Sequence, residues 1–225
     1  MQLSVKELSK LLNVTERTVY RWIKQQSIPY YRIHDQYRFN RIEILDWATA
    51  HKLNVSQGLL HDSGDNNVEE LSLSETIKRG GIYYRVEGKD KKILLSAVIN
   101  LLNLPDDVKK QDLLDAMLIR EELGSTGFGD GIAIPHARYP VVTHIPHVLA
   151  SICFLEKPVD YGAIDGKPVH CLFTLISPTV RSHLKMISRI AHALRNPRVK
   201  EALENQASRE IILREIEKNE QPLGK

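Results

Sequence analysis

Residues 123–138 read LGSTGFGDGIAIPHAR and combine a glycine-rich loop with a short apolar run and a histidine. Four glycines lie between residues 124 and 131, and Ile132 to Ile134 then lead through Pro135 to His136. Because glycine has no Cβ, backbone N–H groups in such a loop can come close to an anion. A histidine at its edge can act as a base, a metal ligand or a nucleophile. The stretch therefore predicts an anion site beside a chemically active histidine.

The sequence around this stretch alternates between apolar runs and amphipathic segments. Val148 to Leu155 and Val169 to Ile176 are apolar runs bounded by turn residues, which is typical of buried strands. The other predicted elements, in chain order, are helix 73–79, strand 82–86, helix 90–103, helix 110–122, strand 132–134, helix 183–195 and two closing helices from Pro197 and Ser208. Strands interleaved with helices predict an α/β fold whose sheet is covered on both faces.

No common nucleotide or metal motif explains His136. The loop lacks the Gly-Lys-Ser/Thr of a phosphate-binding P-loop, and the sequence has neither a dinucleotide fingerprint nor a nucleophile elbow. His144 and His147 are separated by a proline and cannot share a helical face, and Cys153 and Cys171 lie inside the apolar runs. A metal site is therefore poorly supported, and the sequence predicts neither a metal nor a cofactor.

A phosphoryl-accepting histidine agrees better with the residues present. A neutral imidazole nitrogen is a nucleophile that needs no metal, and a phosphoryl group in transfer is stabilised by N–H donors, hydroxyls and a nearby cation. The chain offers all of these, and also a second histidine at a helix start. The candidates around His136, in chain order, are Arg120, Ser125, Thr126, Gly127, Gly131 and His183. His183 also has a plainer interpretation, as a helix-start residue without chemistry.

The composition is that of a soluble globular protein, with 225 residues of which 42% are hydrophobic and 26% charged. This length suits one large or two small domains. No run approaches the ~20 apolar residues that a membrane span needs, and the N-terminal residues lack the apolar core of a signal peptide. Two cysteines inside apolar runs are typical of buried free thiols in a reducing compartment. We therefore expect a cytoplasmic protein without membrane insertion.

Charge is unevenly distributed along the chain. Residues 1–55 carry nine Lys and Arg against five Asp and Glu, a net charge of +4, whereas residues 56–225 carry 22 against 23. Ser4 and Glu7 form a capping box before one amphipathic helix, and a second helix follows a tight turn. The second helix is apolar on one side and basic on the other, which is the pattern of a helix-turn-helix that binds nucleic acid.

A small hairpin, or wing, is predicted next, because residues 31–39 alternate around a turn at 34–36 and a third helix follows from Asn40. Residues 5–47 resemble the winged helix-turn-helix modules of the excisionase and MerR-like group, in which the second helix enters the major groove. The resemblance implies DNA contacts from Arg17, Thr18, Tyr20, Arg21 and Arg38. The alternative is a merely solvated basic face. One small module makes few phosphate contacts, so tight binding would need a homo-oligomer.

Residues 53–71 are polar, rich in turn-forming residues and without periodicity, which predicts a flexible linker. Ser72 and Glu75 then form a capping box that opens the next helix. The predicted organisation is a winged helix-turn-helix domain in residues 1–52, a linker in residues 53–71 and a second domain in residues 72–225.

Two longer strings connect the second domain to a known family. IREELGSTGFGDGIAIPHAR resembles the active-site signature of enzyme IIA domains of the mannitol/fructose and nitrogen-related type in the bacterial phosphotransferase system. KPVDYGAIDGKPVHCLFTLISP and HLKMISRIAHAL resemble a second block of that family. The resemblance implies a mixed sheet with helices on both faces. It also implies that His136 accepts a phosphoryl group from a phosphohistidine on a small HPr-like carrier, that Arg120 neutralises its charge, and that His183 hydrogen-bonds nearby.

Within that family, the strings are most similar to the nitrogen-related, regulatory branch. No sugar-binding membrane domain or enzyme IIB domain is found on this chain, which favours regulation over sugar import, with transporters or kinases as further partners. We therefore expect a regulatory phosphocarrier whose phosphorylation state controls DNA binding. One alternative is a DNA-binding or partner-binding regulator whose IIA domain acts as a sensor without onward transfer. Another is a sugar-transport enzyme IIA.

Overall fold

The computed structural model describes residues 2–33, 36–51, 53, 72–138, 145 and 147–220, which belong to two compact units, Met1–Asn66 and Asn67–Lys225. Apart from Leu53, the predicted linker lies outside the described residues. The same holds for residues 34 and 35 of the predicted wing turn. The linker and the two boundaries between the predicted segments therefore stay predictions. Among the described helices, none is long and apolar enough to cross a bilayer.

The first unit combines helices with a small antiparallel sheet. Its described elements are β1 (Gln2–Leu3), α1 (Val5–Leu11), α2 (Glu16–Lys24), β2 (Tyr31–Ile33), β3 (Gln36–Asn40) and α3 (Arg41–Ala50). The strand order is β1-β3-β2, so the predicted hairpin is confirmed, while β1 is too short to be detected by periodicity. Leu8, Val19 and Phe39 are fully buried in one core shared by the helices and the sheet.

The first two helices begin at the side chains that the sequence indicates. Ser4 accepts a hydrogen bond from the N–H of Glu7, and the Glu7 carboxylate accepts one from the N–H of Ser4. Thr15 caps α2 in the same way through the N–H of Thr18. These bonds satisfy N–H groups that have no partner inside a helix, so each helix start is defined locally.

The second unit has the α/β fold that the sequence predicts. Its described elements are α4 (Leu73–Gly80), β4 (Ile82–Val86), α5 (Lys91–Leu101), α6 (Lys110–Glu122), β5 (Gly127–Gly129), β6 (Ile132–Ala133), β7 (Leu149–Val159), β8 (Val169–Ile176), α7 (Val180–Ala193), α8 (Pro197–Glu204) and α9 (Arg209–Glu220). The strand order is β4-β7-β8-β6-β5, with parallel pairs β4–β7 and β6–β8 and antiparallel pairs β7–β8 and β5–β6. The sheet is therefore mixed, as the family resemblance implies.

This sheet is covered on both faces. Residues 150–155 of β7 are all buried, which requires cover on both sides because successive side chains of a strand alternate between faces. On one face Cys153 packs against α5, and on the other Phe154 stacks on Tyr84, whose hydroxyl donates to the carbonyl of Ala207 ahead of α9. Both cysteines are buried free thiols, and burial raises the pKa of Cys153 to about 12.

Two elements differ from the prediction. Part of the glycine-rich stretch is strand, because β5 and β6 form an edge hairpin that turns through Asp130 and Gly131, with φ of 54° and 73°. The predicted loop is therefore partly built into the sheet, and its glycines permit the turn. α7 begins three residues earlier than predicted, at Val180, because Thr179 and Ser182 form a capping box.

Candidate functional site

His136 lies where the short strand β6 ends against β8. The two strands run parallel, and their pairing continues as a single bridge between His136 and Leu175. β8 ends at Ile176, and α7 begins four residues later at Val180. The parallel pairing therefore places the histidine beside the start of the next helix.

Three buried side chains meet at this point. His136 and His183 are each 4% exposed, and Arg120 is 9% exposed. The ring centroids of the two histidines are 5.0 Å apart, with ring planes inclined by 54°. The Nε of Arg120 donates to Nε2 of His136 at 3.2 Å. The structure thus brings together the predicted acceptor, the predicted cation and the second histidine, which come from three separate segments.

The hydrogen bonds of His136 define its tautomer. Its Nδ1 is 2.7 Å from the carbonyl oxygen of Ile134. A carbonyl oxygen only accepts, so Nδ1 carries the ring proton and Nε2 of the neutral ring carries the lone pair. Arg120 donates to that lone pair. Nε2 is therefore the nucleophilic atom, and a guanidinium covers it in this structure.

The pocket around His136 is suited to negative charge. The Nη1 of Arg120 donates to the carbonyl of Gly124 at 2.7 Å, so the guanidinium is held at two points. Charges act more strongly in a buried pocket than in water. His183 lies in the first turn of α7, at the positive end of the helix dipole, which favours an anion. The arrangement can bind and stabilise a group such as a phosphoryl group.

The predicted hydroxyl donors are already bonded to groups outside the glycine-rich loop. The Oγ of Ser125 donates to the carbonyl of Tyr161 at 2.6 Å and accepts from the N–H of Gly127 at 3.0 Å. Thr126 donates both its N–H and its hydroxyl to the carboxylate of Glu121. Phosphoryl contacts from Ser125, Thr126 and Gly127 therefore stay predictions, and they would require these bonds to open.

Gly131 is not brought to His136. It lies at the opposite end of β6, five residues before the histidine, which is about 16 Å along an extended strand. Its φ is +73°, and a Cβ at this position would lie 2.4 Å from the His170 ring. The turn and the close approach of His170 explain this glycine, so the geometry gives Gly131 a structural role in place of the predicted phosphoryl contact.

A buried carboxylate beside the site was not predicted. Glu121 is 8% exposed, follows Arg120 in the chain, and accepts hydrogen bonds from Thr126 and from the ammonium of Lys91, the latter at 3.2 Å. Burial, and then the charge of Glu121, raise the pKa of the wholly buried Tyr161 well above its ordinary value. In the sequence, Glu121 is one of two consecutive glutamates on a helix, so no local signal separates it from a solvated residue.

No metal centre is found among the residues that the structure describes, since they contain no group of three or more His, Cys, Asp or Glu side chains placed to hold an ion. Cys153 and Cys171 are buried in β7 and β8. His147 is described, whereas His144 lies outside the described residues, so the pair that the sequence raised as weak metal ligands is not tested.

In the first unit, the predicted DNA-contacting side chains lie on α2 and the wing. Arg17, Tyr20 and Arg21 are exposed, and Thr18 and Arg38 are partly exposed. Arg38 donates to the side chain of Gln36 within β3. The rings of Tyr20 and Tyr37 meet edge to face at 6.1 Å and join α2 to β3. The basic side chains are thus presented by a helix that packs on the small sheet. Their contact with DNA stays a prediction.

Comparison with known proteins identifies relatives of both units. The profile of the family described as "Phosphoenolpyruvate-dependent sugar phosphotransferase system, EIIA 2" matches residues 75–219, and that of a helix-turn-helix domain matches residues 3–52. A nitrogen regulatory protein of Pseudomonas aeruginosa is 34% identical over 146 residues, covering 63% of this chain and 92% of that protein.

Two further relatives carry names that point to different roles. The fructose-specific EIIABC component of the Bacillus subtilis phosphotransferase system is 28% identical over 148 residues, which cover 64% of this chain and 22% of that protein. The crystal structure of nitrogen regulatory protein IIA-Ntr from Neisseria meningitidis aligns with a TM-score of 0.56 and 29% identity, over 64% of this chain and 98% of that chain. The fold of the second unit is thus shared by regulatory and sugar-specific proteins.

We expect Gly131→Ala to lower the free energy of unfolding more than Gly166→Ala does. Both glycines have positive φ, 73° and 68°, but only at Gly131 would a Cβ overlap a neighbour, the His170 ring. The backbone conformation costs about 1–2 kcal/mol in each variant, and the overlap adds about 1–3 kcal/mol at Gly131. Urea unfolding of the full chain measures both changes. Equal losses would show that the contact with His170 does not explain this glycine.

Proposed function

The chain belongs to the EIIA 2 family of the phosphoenolpyruvate-dependent sugar phosphotransferase system, and we propose that its second unit is a phosphocarrier that accepts a phosphoryl group on Nε2 of His136. The observation that carries the proposal is the buried contact of His136 with Arg120 and His183. Phosphoryl transfer between histidines needs a nucleophilic ring nitrogen, a fixed cation and further donors, and all of these are present.

In the proposed step, the lone pair of Nε2 attacks the phosphorus of a phosphohistidine on an HPr-like (NPr) carrier protein. A bond forms between Nε2 and phosphorus, the bond between phosphorus and the donor nitrogen breaks, and its electron pair returns to the donor ring. The proton on Nδ1 stays on His136, where the carbonyl of Ile134 stabilises the positive charge that the ring gains. The exchange uses no cofactor.

Arg120 exchanges one hydrogen bond for another during this step. Its Nε covers the lone pair of Nε2 before reaction, so the guanidinium has to shift before attack, after which it donates to the phosphoryl oxygens. Its second hydrogen bond, to Gly124, keeps it within reach. His183 borders the same space and supplies a further donor to those oxygens.

The surface around Arg120 favours a protein as the phosphoryl donor. Ile119 and Leu123, which flank the arginine in sequence near the end of α6, are 59% and 62% exposed. Val180, at the start of α7, is also exposed. Large apolar side chains exposed around a buried reacting group are typical of a protein-docking surface, since the partner covers them on binding.

The first unit supports transcription regulation as the output. It is a helix-turn-helix domain with exposed basic side chains on α2, and the Pseudomonas aeruginosa relative is named as a nitrogen regulatory protein. In our proposal the phosphorylation state of His136 controls the binding of a cytoplasmic homo-oligomer to DNA, or to regulated transporters or kinases. Two linked modules would provide the affinity that one small module lacks.

A sugar-transport enzyme IIA is the second candidate function. The observation that favours it is the likeness to the fructose-specific component of Bacillus subtilis. A transport role requires the phosphoryl group to leave His136 for an enzyme IIB. Transfer of label from phosphorylated protein to an enzyme IIB, followed with time, therefore separates transport from regulation.

We expect the full chain to be labelled when it is incubated with labelled phosphoenolpyruvate, enzyme I and an HPr-like carrier. His136→Ala should abolish the label because the nucleophile is gone, whereas His147→Ala, which removes a histidine that is not part of the three-residue cluster, should leave it intact. An unlabelled wild-type protein would contradict the proposal. Label that survives in His136→Ala would place the acceptor elsewhere.

Arg120→Ala should slow phosphorylation about a hundredfold or more while the protein stays folded, since removal of one donor to a developing charge commonly costs that much. Arg120→Lys keeps the charge but not the planar two-point geometry, so we expect an intermediate rate. Rapid-quench measurement of label on His136 gives both rates. An unchanged rate in Arg120→Ala would show that the guanidinium has no part in transfer.

Arg21→Ala should weaken DNA binding and reduce the slope of log affinity against log salt by about one, because one phosphate contact is lost. Lys10→Ala, which removes an exposed charge of the same sign from α1, is the matched control and should change the affinity less. Fluorescence anisotropy with DNA fragments at several salt concentrations measures both slopes. If the wild-type protein shows no salt-dependent binding, the regulatory proposal loses its DNA component.

A further inference from the structure

Glu121 is a buried carboxylate that the proposed transfer of the phosphoryl group does not use. It is 8% exposed and adjoins Arg120. A buried carboxylate is costly unless it accepts hydrogen bonds or faces a cation, so its partners indicate its role. We infer that Glu121 is a positioning residue that fixes the ring tautomer of His136. Only its consequence for the rate of transfer rests on the proposed function.

One chain of hydrogen bonds leads from Glu121 to Nδ1 of His136. Thr126 donates its N–H at 3.2 Å to each oxygen of the carboxylate, and its hydroxyl donates as well. The carbonyl of Thr126 accepts from the N–H of Ile134 at 2.9 Å. The carbonyl of Ile134 then faces Nδ1 at 2.7 Å. Thr126 therefore orients Ile134, and Ile134 holds the ring proton on Nδ1.

A second chain leads from Glu121 to Nε2. The backbone carbonyl of Glu121 accepts from the N–H of Gly124 at 3.2 Å, and its side chain holds Thr126 two residues further on. The carbonyl of Gly124 accepts from Nη1 of Arg120 at 2.7 Å, and Nε of the same guanidinium donates to Nε2 at 3.2 Å. Both ring nitrogens of His136 thus face groups whose positions depend on residues 124–126, the segment that Glu121 ties to α6.

The charge of Glu121 suits this role. Lys91 lies with its Nζ 3.2 Å from the carboxylate and 4.7 Å from the centroid of the Tyr161 ring, so a cation accompanies the buried anion. An ionised carboxylate only accepts hydrogen bonds, so it can satisfy both donors of Thr126 at once. A glutamine in its place would carry an –NH2 group, which donates hydrogen bonds. That group would face another donor, either Thr126 or Lys91.

The tautomer matters because only a neutral ring with its proton on Nδ1 has its lone pair on Nε2. If the segment 124–126 loosens, the proton can occupy Nε2 instead, and that ring cannot attack phosphorus through Nε2. The rate of phosphorylation then falls with the population of the competent tautomer. A residue that merely supported the fold would lower stability without moving the proton between the two nitrogens.

Full-length Glu121→Gln, with Glu122→Gln as the matched control, tests the inference by two measurements. Nitrogen-15 NMR of the ring nitrogens in the unphosphorylated protein reports the tautomer of His136, and transfer from an HPr-like carrier reports the rate. We expect Glu121→Gln to populate the Nε2–H tautomer and to slow transfer about tenfold, less than the hundredfold that a full ångström of misplacement costs. Glu122 is exposed, so its variant should change neither. Urea unfolding establishes that both variants are folded.

Two variants of Thr126 test the same hydrogen bonds by changing the donor instead of the acceptor. Thr126→Val removes the hydroxyl and should shift the tautomer in the same direction, but by less. Thr126→Ser keeps a hydroxyl and should retain the wild-type tautomer. In the Glu121→Gln background, Thr126→Val should add little further shift. A wild-type tautomer in folded Glu121→Gln, or slower transfer without a tautomer shift, would overturn the inference. If the wild-type protein accepts no phosphoryl group, the proposed function fails, while the NMR comparison still decides the role of Glu121.

Discussion

The parallel pairing of β6 with β8 is the constraint on which the candidate site depends. It carries His136 to the bridge with Leu175 at the end of the sheet, next to the helix that supplies His183. The regular part of β6 is only Ile132–Ala133. This short strand is paired on both sides, with β8 and with β5. The glycine hairpin thus serves largely to place a strand, and the side chains of the candidate anion site converge where this strand ends.

Charge balance in a confined space is the second constraint. Arg120 is a buried cation that contacts His136, and the next residue, Glu121, is a buried carboxylate that faces the ammonium of Lys91. In the proposed transfer, this buried cation would stabilise the negative charge of an incoming phosphoryl group more strongly than it could in water. The carboxylate of Glu121 also accepts both hydrogen bonds of Thr126, so it ties the glycine-rich loop to α6.

Within the second unit, α7 connects the site to the first helix of that unit. α7 carries His183 and packs against α4 and α9. Glu220 at the end of α9 accepts hydrogen bonds from the N–H groups of Leu73 and Ser74, which begin α4. The helix that borders the proposed phosphorylation site is therefore packed on the helix that follows the predicted linker.

Local sequence patterns predicted most of the elements and the three central residues of the candidate site. The capping box at Ser4 and the apolar runs of β7 and β8 depend on neighbours in sequence, and two motif strings indicated His136, Arg120 and His183 together. Only the tertiary structure decided which groups face one another. It bonded the hydroxyls of Ser125 and Thr126 to Tyr161 and Glu121, placed Gly131 at the far end of β6, and set Nδ1 of His136 against the carbonyl of Ile134. These outcomes arise from strand pairing, from chain turns and from the burial of charge, which leave no periodic signal along the chain even where the partners are close in sequence.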